Sequence, residues 1–228
     1  MAVLEKEIEF ESHGATLRGL LSLPDHATGT VIFAHGSGSS RFSQRNRFVA
    51  SELQKAGCAT LLLDLLGEGE AHERDKVFNI PLLADRLTDA KLWLLAGTEL
   101  NQGAVPQAIG YFGASTGAGA ALYAAAQCPH HVTAVVSRGG RPDLADECLG
   151  SVYAPTLLIV GGEDDAVIEM NQKAFAKLAC EKELKIIPGA SHLFIEAGTL
   201  EAVAELAASW FVTHFTAHKR SAIFPVPA

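Results

Sequence analysis

From residue 30 onward the chain alternates short, largely apolar runs with longer amphipathic ones, and this pattern constrains the fold more than any other feature. The apolar runs are TVIFAH (30–35), CATLLLDL (58–65), AIGYFG (108–113), TAVVS (133–137), TLLIVG (156–161) and LKIIPG (184–189). Helices are expected near 43–56 and 82–97, from about 116, and near 168–180 and 200–215. A strand covered on one face alternates polar and apolar residues, whereas a strand with helices on both faces is apolar throughout. Right-handed crossovers then join such strands into a parallel sheet. Ahead of this region, 5–11 and 15–23 flank His13-Gly14, a turn signal, and read as an antiparallel hairpin. The expected fold class is α/β: a mostly parallel central sheet with an N-terminal antiparallel hairpin, helices on both faces and no large lid domain.

No linker, repeat or low-complexity tract marks a boundary, so 1–228 reads as a single domain. The stretch 139–154 leaves room for a turn and one short helix, which is too little for a lid. The tail 218–228 is expected to lie on the surface or at an interface, and a homo-oligomer is left open. Asp and Glu total 26 against 18 Lys and Arg, a net charge of -8, which is the wrong sign for gripping nucleic acid. No apolar run approaches the roughly 20 residues of a membrane span, and the N-terminus lacks the pattern of a secretory leader. The cysteines, Cys58, Cys128, Cys148 and Cys180, are widely spaced and read as free thiols. A cytoplasmic location is expected.

The chemistry gathers where apolar runs end. Gly113-Ala114-Ser115-Thr116-Gly117 is a G-x-S-x-G between a strand and an Ala-rich helix, the setting in which a strained turn lifts a serine hydroxyl above a sheet at a helix N-terminus. Serine needs a base and an orienting acid. Asp164, in Gly161-Gly162-Glu163-Asp164-Asp165, follows one strand, and His192, in Pro188-Gly189-Ala190-Ser191-His192, follows the next. Asp165 competes with Asp164 for the acid, and Asp143 is a third candidate. His130, His131, His214 and His218 follow no strand and read as surface histidines. The loop His35-Gly36-Ser37-Gly38 lies where the N–H of Ser37, with that of Thr116, would face a developing oxyanion, which leaves His35 a structural role. Arg138, and with it Arg41 and Arg141, follow strand ends or the oxyanion loop; Arg138 and Arg41 are the candidate substrate-binding residues, suited to an acidic substrate. Asp64, Glu68 and Glu70 read as an acidic turn. Neither metal-ligand spacing nor a phosphate-cradling loop is present, so no cofactor is expected.

Together the HGSG, GASTG, GGEDD and PGASH segments resemble the α/β-hydrolase superfamily, and the small lidless outline resembles its dienelactone-hydrolase-like branch. The resemblance implies Ser115 as nucleophile, His192 as general base, Asp164 as its orienting acid and Ser37 with Thr116 as oxyanion donors. True dienelactone hydrolases carry a cysteine where this chain has Ser115, so the resemblance points to a carboxylic-ester or lactone hydrolase acting on a small molecule. A peptidase or a cofactor-free perhydrolase would use the same triad, and a non-catalytic ligand-binding member of the fold is the alternative from another class.

Overall fold

The computed structural model describes residues 3–97, 105–128 and 131–223. Eight strands form one sheet in the order β1-β2-β4-β3-β5-β6-β7-β8: β1 (Val3–Ser12), β2 (Ala15–Pro24), β3 (Thr30–Ala34), β4 (Ala59–Leu63), β5 (Ile109–Ala114), β6 (Ala134–Arg138), β7 (Thr156–Gly161) and β8 (Lys182–Ile187). The hairpin β1–β2 is antiparallel and joins β4 antiparallel, and every pair from β4 through β8 is parallel. Strands β3 to β7 are buried at every position, as their uniformly apolar sequences require. From β3 the chain builds outward to β4 and then returns to place β5 on the other side, so the strand order reverses between β3 and β5. That reversal opens a crevice beyond the C-terminal ends of β3 and β5, the usual ligand position in an open α/β sheet.

Two apolar layers cover the sheet. Helices α1 (Gln44–Lys55) and α6 (Thr199–Ile223) bring Val49, Leu53, Phe211 and Phe215 against one face. On the other face, α3 (Ile80–Leu95), α4 (Thr116–Gln127) and α5 (Asp165–Lys177) contribute Leu83, Leu87, Leu122 and Ala174. Each fully buried Leu or Phe is worth about 1.5–3 kcal/mol of transfer free energy, so the two layers dominate the stability of the domain. Ser43 caps α1 by accepting the Asn46 N–H at 3.4 Å, and Asn79 caps α3 by accepting the Leu82 N–H at 3.1 Å. Among the described residues no helix is long and apolar enough to cross a membrane.

The elements depart from the sequence expectation mainly at their edges. A 3-10 turn (Glu70–His72) and a one-turn helix α2 (Arg74–Val77) precede α3. Helix α5 begins at Asp165 instead of near 168, because the turn after β7 ends at Asp164 and an acidic Asp165 suits a first helical turn. The 139–154 stretch holds a 3-10 segment, Pro142–Ser151. Helix α6 continues through the start of the expected tail to Ile223, and the remainder of that tail, 224–228, lies outside the described residues, as does His130. His214 is not a surface histidine: only 11% of its side chain is exposed, edge-on to Trp210 at 4.5 Å, and burial lowers its pKa.

Candidate active site

Ser115 occupies the turn between β5 and α4 with φ 51° and ψ -122°, a conformation that costs an L-residue about 1–3 kcal/mol and is retained where the surroundings impose it. The neighbouring glycines explain how the turn is made. A Cβ at Gly113 would lie 2.3 Å from the Ala118 Cα, and one at Gly117 would lie 2.2 Å from the Ala34 carbonyl oxygen, so neither position accepts a side chain. The turn is tied to the next strand by the Ser115 N–H, which donates to the Arg138 carbonyl at 3.2 Å. The Ser115 side chain makes no capping bond at the head of α4. Its hydroxyl stands at the positive end of a 12-residue helix.

Asp164 and His192 reach each other because the loops after β7 and β8 remain paired beyond the strands. The Gly162 N–H donates to the Ile187 carbonyl at 2.8 Å and the Glu163 N–H to that of Ala190 at 3.0 Å. His192 Nδ1 then lies 2.6 Å from Asp164 Oδ2, a contact that turns an Nδ1 proton toward the carboxylate and leaves Nε2 as the ring nitrogen not engaged by it. Phe194, buried and at φ 53°, anchors the histidine loop, and the Glu196 carboxylate accepts the Ser191 N–H at 3.0 Å. Asp165 does not meet His192; it opens α5. Asp143 is paired with Arg141 through two hydrogen bonds, at 2.8 and 2.7 Å.

Ser115, His192, Gly36 and Ser37 share a cavity of about 240 Å³. Thr116 does not line that cavity; with Ser37 it fronts a neighbouring hollow of about 520 Å³ walled by Leu65, Leu66, Val77 and Leu83. Thr116 is the first residue of α4, so its N–H has no acceptor within the helix. Gly36 packs close to the β5–α4 turn; a Cβ there would be 3.2 Å from the Ser115 Cβ. His35 holds this loop, with Nδ1–H donating to the Gly36 carbonyl at 2.9 Å and Nε2 accepting the Leu65 N–H at 3.1 Å. Burial lowers the His35 pKa, partly opposed by the Gly36 bond and by Asp64, consistent with a neutral, structural imidazole.

The arginines divide. Arg41 does not line the Ser115 cavity: its backbone N–H donates to Asp64 Oδ1 at 2.6 Å and its guanidinium pairs with Asp64 Oδ2. Both border a separate polar cavity of about 820 Å³ with Arg18, Glu68 and Lys76, which does not reach Ser115. Nor is the acidic segment a simple turn. Glu70 accepts from Arg86 at 2.7 and 3.0 Å, from the Gly67 N–H at 2.7 Å and pairs with Lys76 at 3.0 Å, and these partners, Arg86 foremost, hold its carboxyl at about 2. Arg138, at the end of β6 beside Ala114, does line the Ser115 cavity, and so do Arg45 and Asn46 of α1. Those two were not legible in the sequence, where the polar run Gln44-Arg45-Asn46-Arg47 has the composition of a solvated helix start.

A family model described as the alpha/beta hydrolase fold matches residues 29–152. A dienelactone hydrolase from Anabaena variabilis, known as a crystal structure, is 53% identical, covers 93% of this chain and 98% of its own, and superposes with a TM-score of 0.87. Est1E from Butyrivibrio proteoclasticus, 16% identical with a TM-score of 0.77, covers 92% of this chain and 99% of its own and shares the fold. A Mycobacterium tuberculosis protein provisionally named a phosphoribosyl transferase is 54% identical over 210 residues, which are 92% of this chain but 46% of that protein. The chain thus spans about half the length of that relative.

Proposed function

Because this chain belongs to the α/β-hydrolase family and to its dienelactone-hydrolase-like branch, we propose that it is a serine hydrolase cleaving a carboxylic ester or lactone of a small molecule. Ser115 is the nucleophile, His192 the general base and Asp164 its orienting acid. The observation that carries the reading is the 2.6 Å contact between His192 Nδ1 and Asp164, with His192 and the strained Ser115 lining one cavity. Ser115 Oγ attacks the carbonyl carbon while its proton passes to His192 Nε2. The carbonyl oxygen becomes an oxyanion facing the N–H groups of Ser37 and Thr116. Collapse breaks the bond to the leaving oxygen, which takes the proton from His192, and Ser115 is left acylated. Water then gives a proton to His192 Nε2 as its oxygen bonds to the acyl carbon; the bond from that carbon to Ser115 Oγ breaks, Oγ takes the proton back from His192, and the acid leaves.

The phosphoribosyl-transfer name of the Mycobacterium relative describes a different chemistry. It belongs to a protein of which this chain matches 46%. The test is turnover of a neutral aryl ester and a simple lactone by the purified chain and by Ser115→Ala. Hydrolysis lost in the variant is the expected result, and equal rates in both proteins would overturn the assignment of Ser115.

A further inference from the structure

We propose that Arg138 and Arg45, with Asn46, form an anion subsite inside the Ser115 cavity, so that the substrate carries a carboxylate or phosphate group besides the bond that is cleaved. The inference rests on the serine-hydrolase reading of that cavity.

Arg138 is 8% exposed, yet its Nε and Nη1 atoms have no hydrogen-bond partner. Its Nη2 donates to Asn46 Oδ1 at 3.4 Å, and its guanidinium lies 5.9 Å from the centre of the Phe194 ring. Arg45 Nε is likewise out of solvent and without a partner. Among the described residues lining this cavity none is Asp or Glu, in a chain whose net charge is -8. The first turn of α1 faces the same space through Ser43, Arg45 and Asn46, adding the positive end of a 12-residue helix. Burial, and then the like charge of Arg45, lower the Arg138 pKa to about 10. Buried cations ordinarily come with carboxylates, as Arg86 does with Glu70. Here the missing acceptor is a ligand's, and Ser115 lies one residue along from Ala114, the β5 partner of Arg138.

The test compares kcat/KM for esters whose anionic group is free or capped as its methyl ester, read by release of the phenol: 4-acetoxybenzoate against methyl 4-acetoxybenzoate, 4-acetoxyphenyl phosphate against its dimethyl ester, and 4-nitrophenyl hemiglutarate against 4-nitrophenyl methyl glutarate. Charge-assisted hydrogen bonds predict a preference of about tenfold or more for an anionic member. Arg138→Met is expected to bring that ratio close to one, chiefly through KM, and Arg45→Met to reduce it in part. As a readout that needs no substitution at Arg138, Ser115→Ala is also titrated with sodium glutarate and with inorganic phosphate while its melting temperature is followed. A rise with glutarate alone assigns a carboxylate, and a rise with phosphate alone assigns a phosphate. Ratios near one in every pair, with no rise from either anion, overturn the subsite while leaving the nucleophile standing. A rise with either anion in a protein that hydrolyses no ester keeps the subsite and overturns the nucleophile.

Discussion

Arg86 and Arg138 are both buried, and the protein treats them in opposite ways. Arg86 is fully out of solvent and donates to both carboxylate oxygens of Glu70 and, at 2.9 Å, to the Leu65 carbonyl, which ties α3 to the loop after β4. Arg138 sits at the end of β6 with a single long contact to an amide oxygen and another cation nearby. The first guanidinium, although its Nε too has no partner, is committed to the fold through both terminal nitrogens. The second retains donors for something the chain does not supply, and it retains them in the cavity that holds Ser115 and His192. Burial alone therefore does not separate structural from functional charge; the state of the partners does.

The largest effect expected on either side of this contrast lies at Ser115, the proposed nucleophile, and its partners. Ser115→Ala or His192→Ala should reduce kcat by about six decades, and Asp164→Asn by about four to five, by analogy with measured triads. Their unfolding curves should stay close to that of the parent, and steady-state kinetics beside urea denaturation checks both halves. Next comes Arg86→Met, which leaves the Glu70 carboxylate buried without its main partner and should cost about 3–5 kcal/mol in denaturant unfolding. A loss below about 1 kcal/mol would mean that the pair merely decorates the loop.

Acid should expose the same pair. The Glu70 carboxyl is held at about 2, against an ordinary value of 4.5. Its contribution, on the order of 3 kcal/mol, is fully present above pH about 4.5 and disappears as pH falls toward about 2. Urea midpoints measured across that window should fall more steeply for the parent than for Glu70→Gln. The smallest effect sharpens the contrast: Arg138→Met should change stability by less than about 1 kcal/mol, or raise it, because removing an unpaired buried cation relieves a desolvation cost. A loss as large as that of Arg86→Met would make Arg138 a structural residue like its counterpart.

The sheet was legible because buried parallel strands have no polar face, so TVIFA, ATLLL and TLLIVG declare themselves by composition alone. The placing of Ser115, Asp164 and His192 at strand ends followed from the same runs and from the glycines beside them. What the sequence hid was pairing across the fold. Arg41 looked available beside the oxyanion loop, yet its partner Asp64 lies 23 residues away at the end of another strand. Glu70 and Arg86 are separated by 16 residues and a helix start, with no local pattern linking them. Arg45 and Asn46 enter the cavity through the docking of α1 against α6 and the sheet, a tertiary event that helical periodicity does not encode.

The account rests on an activated serine at the β5–α4 turn, and intact-mass analysis after exposure to a fluorophosphonate, with the adduct mapped by peptide, tests it most directly. The account predicts a single adduct on Ser115 in the parent, strongly slowed in Asp164→Asn and absent in His192→Ala. A folded parent protein that takes up no probe, or takes it up at a residue other than Ser115, would contradict it.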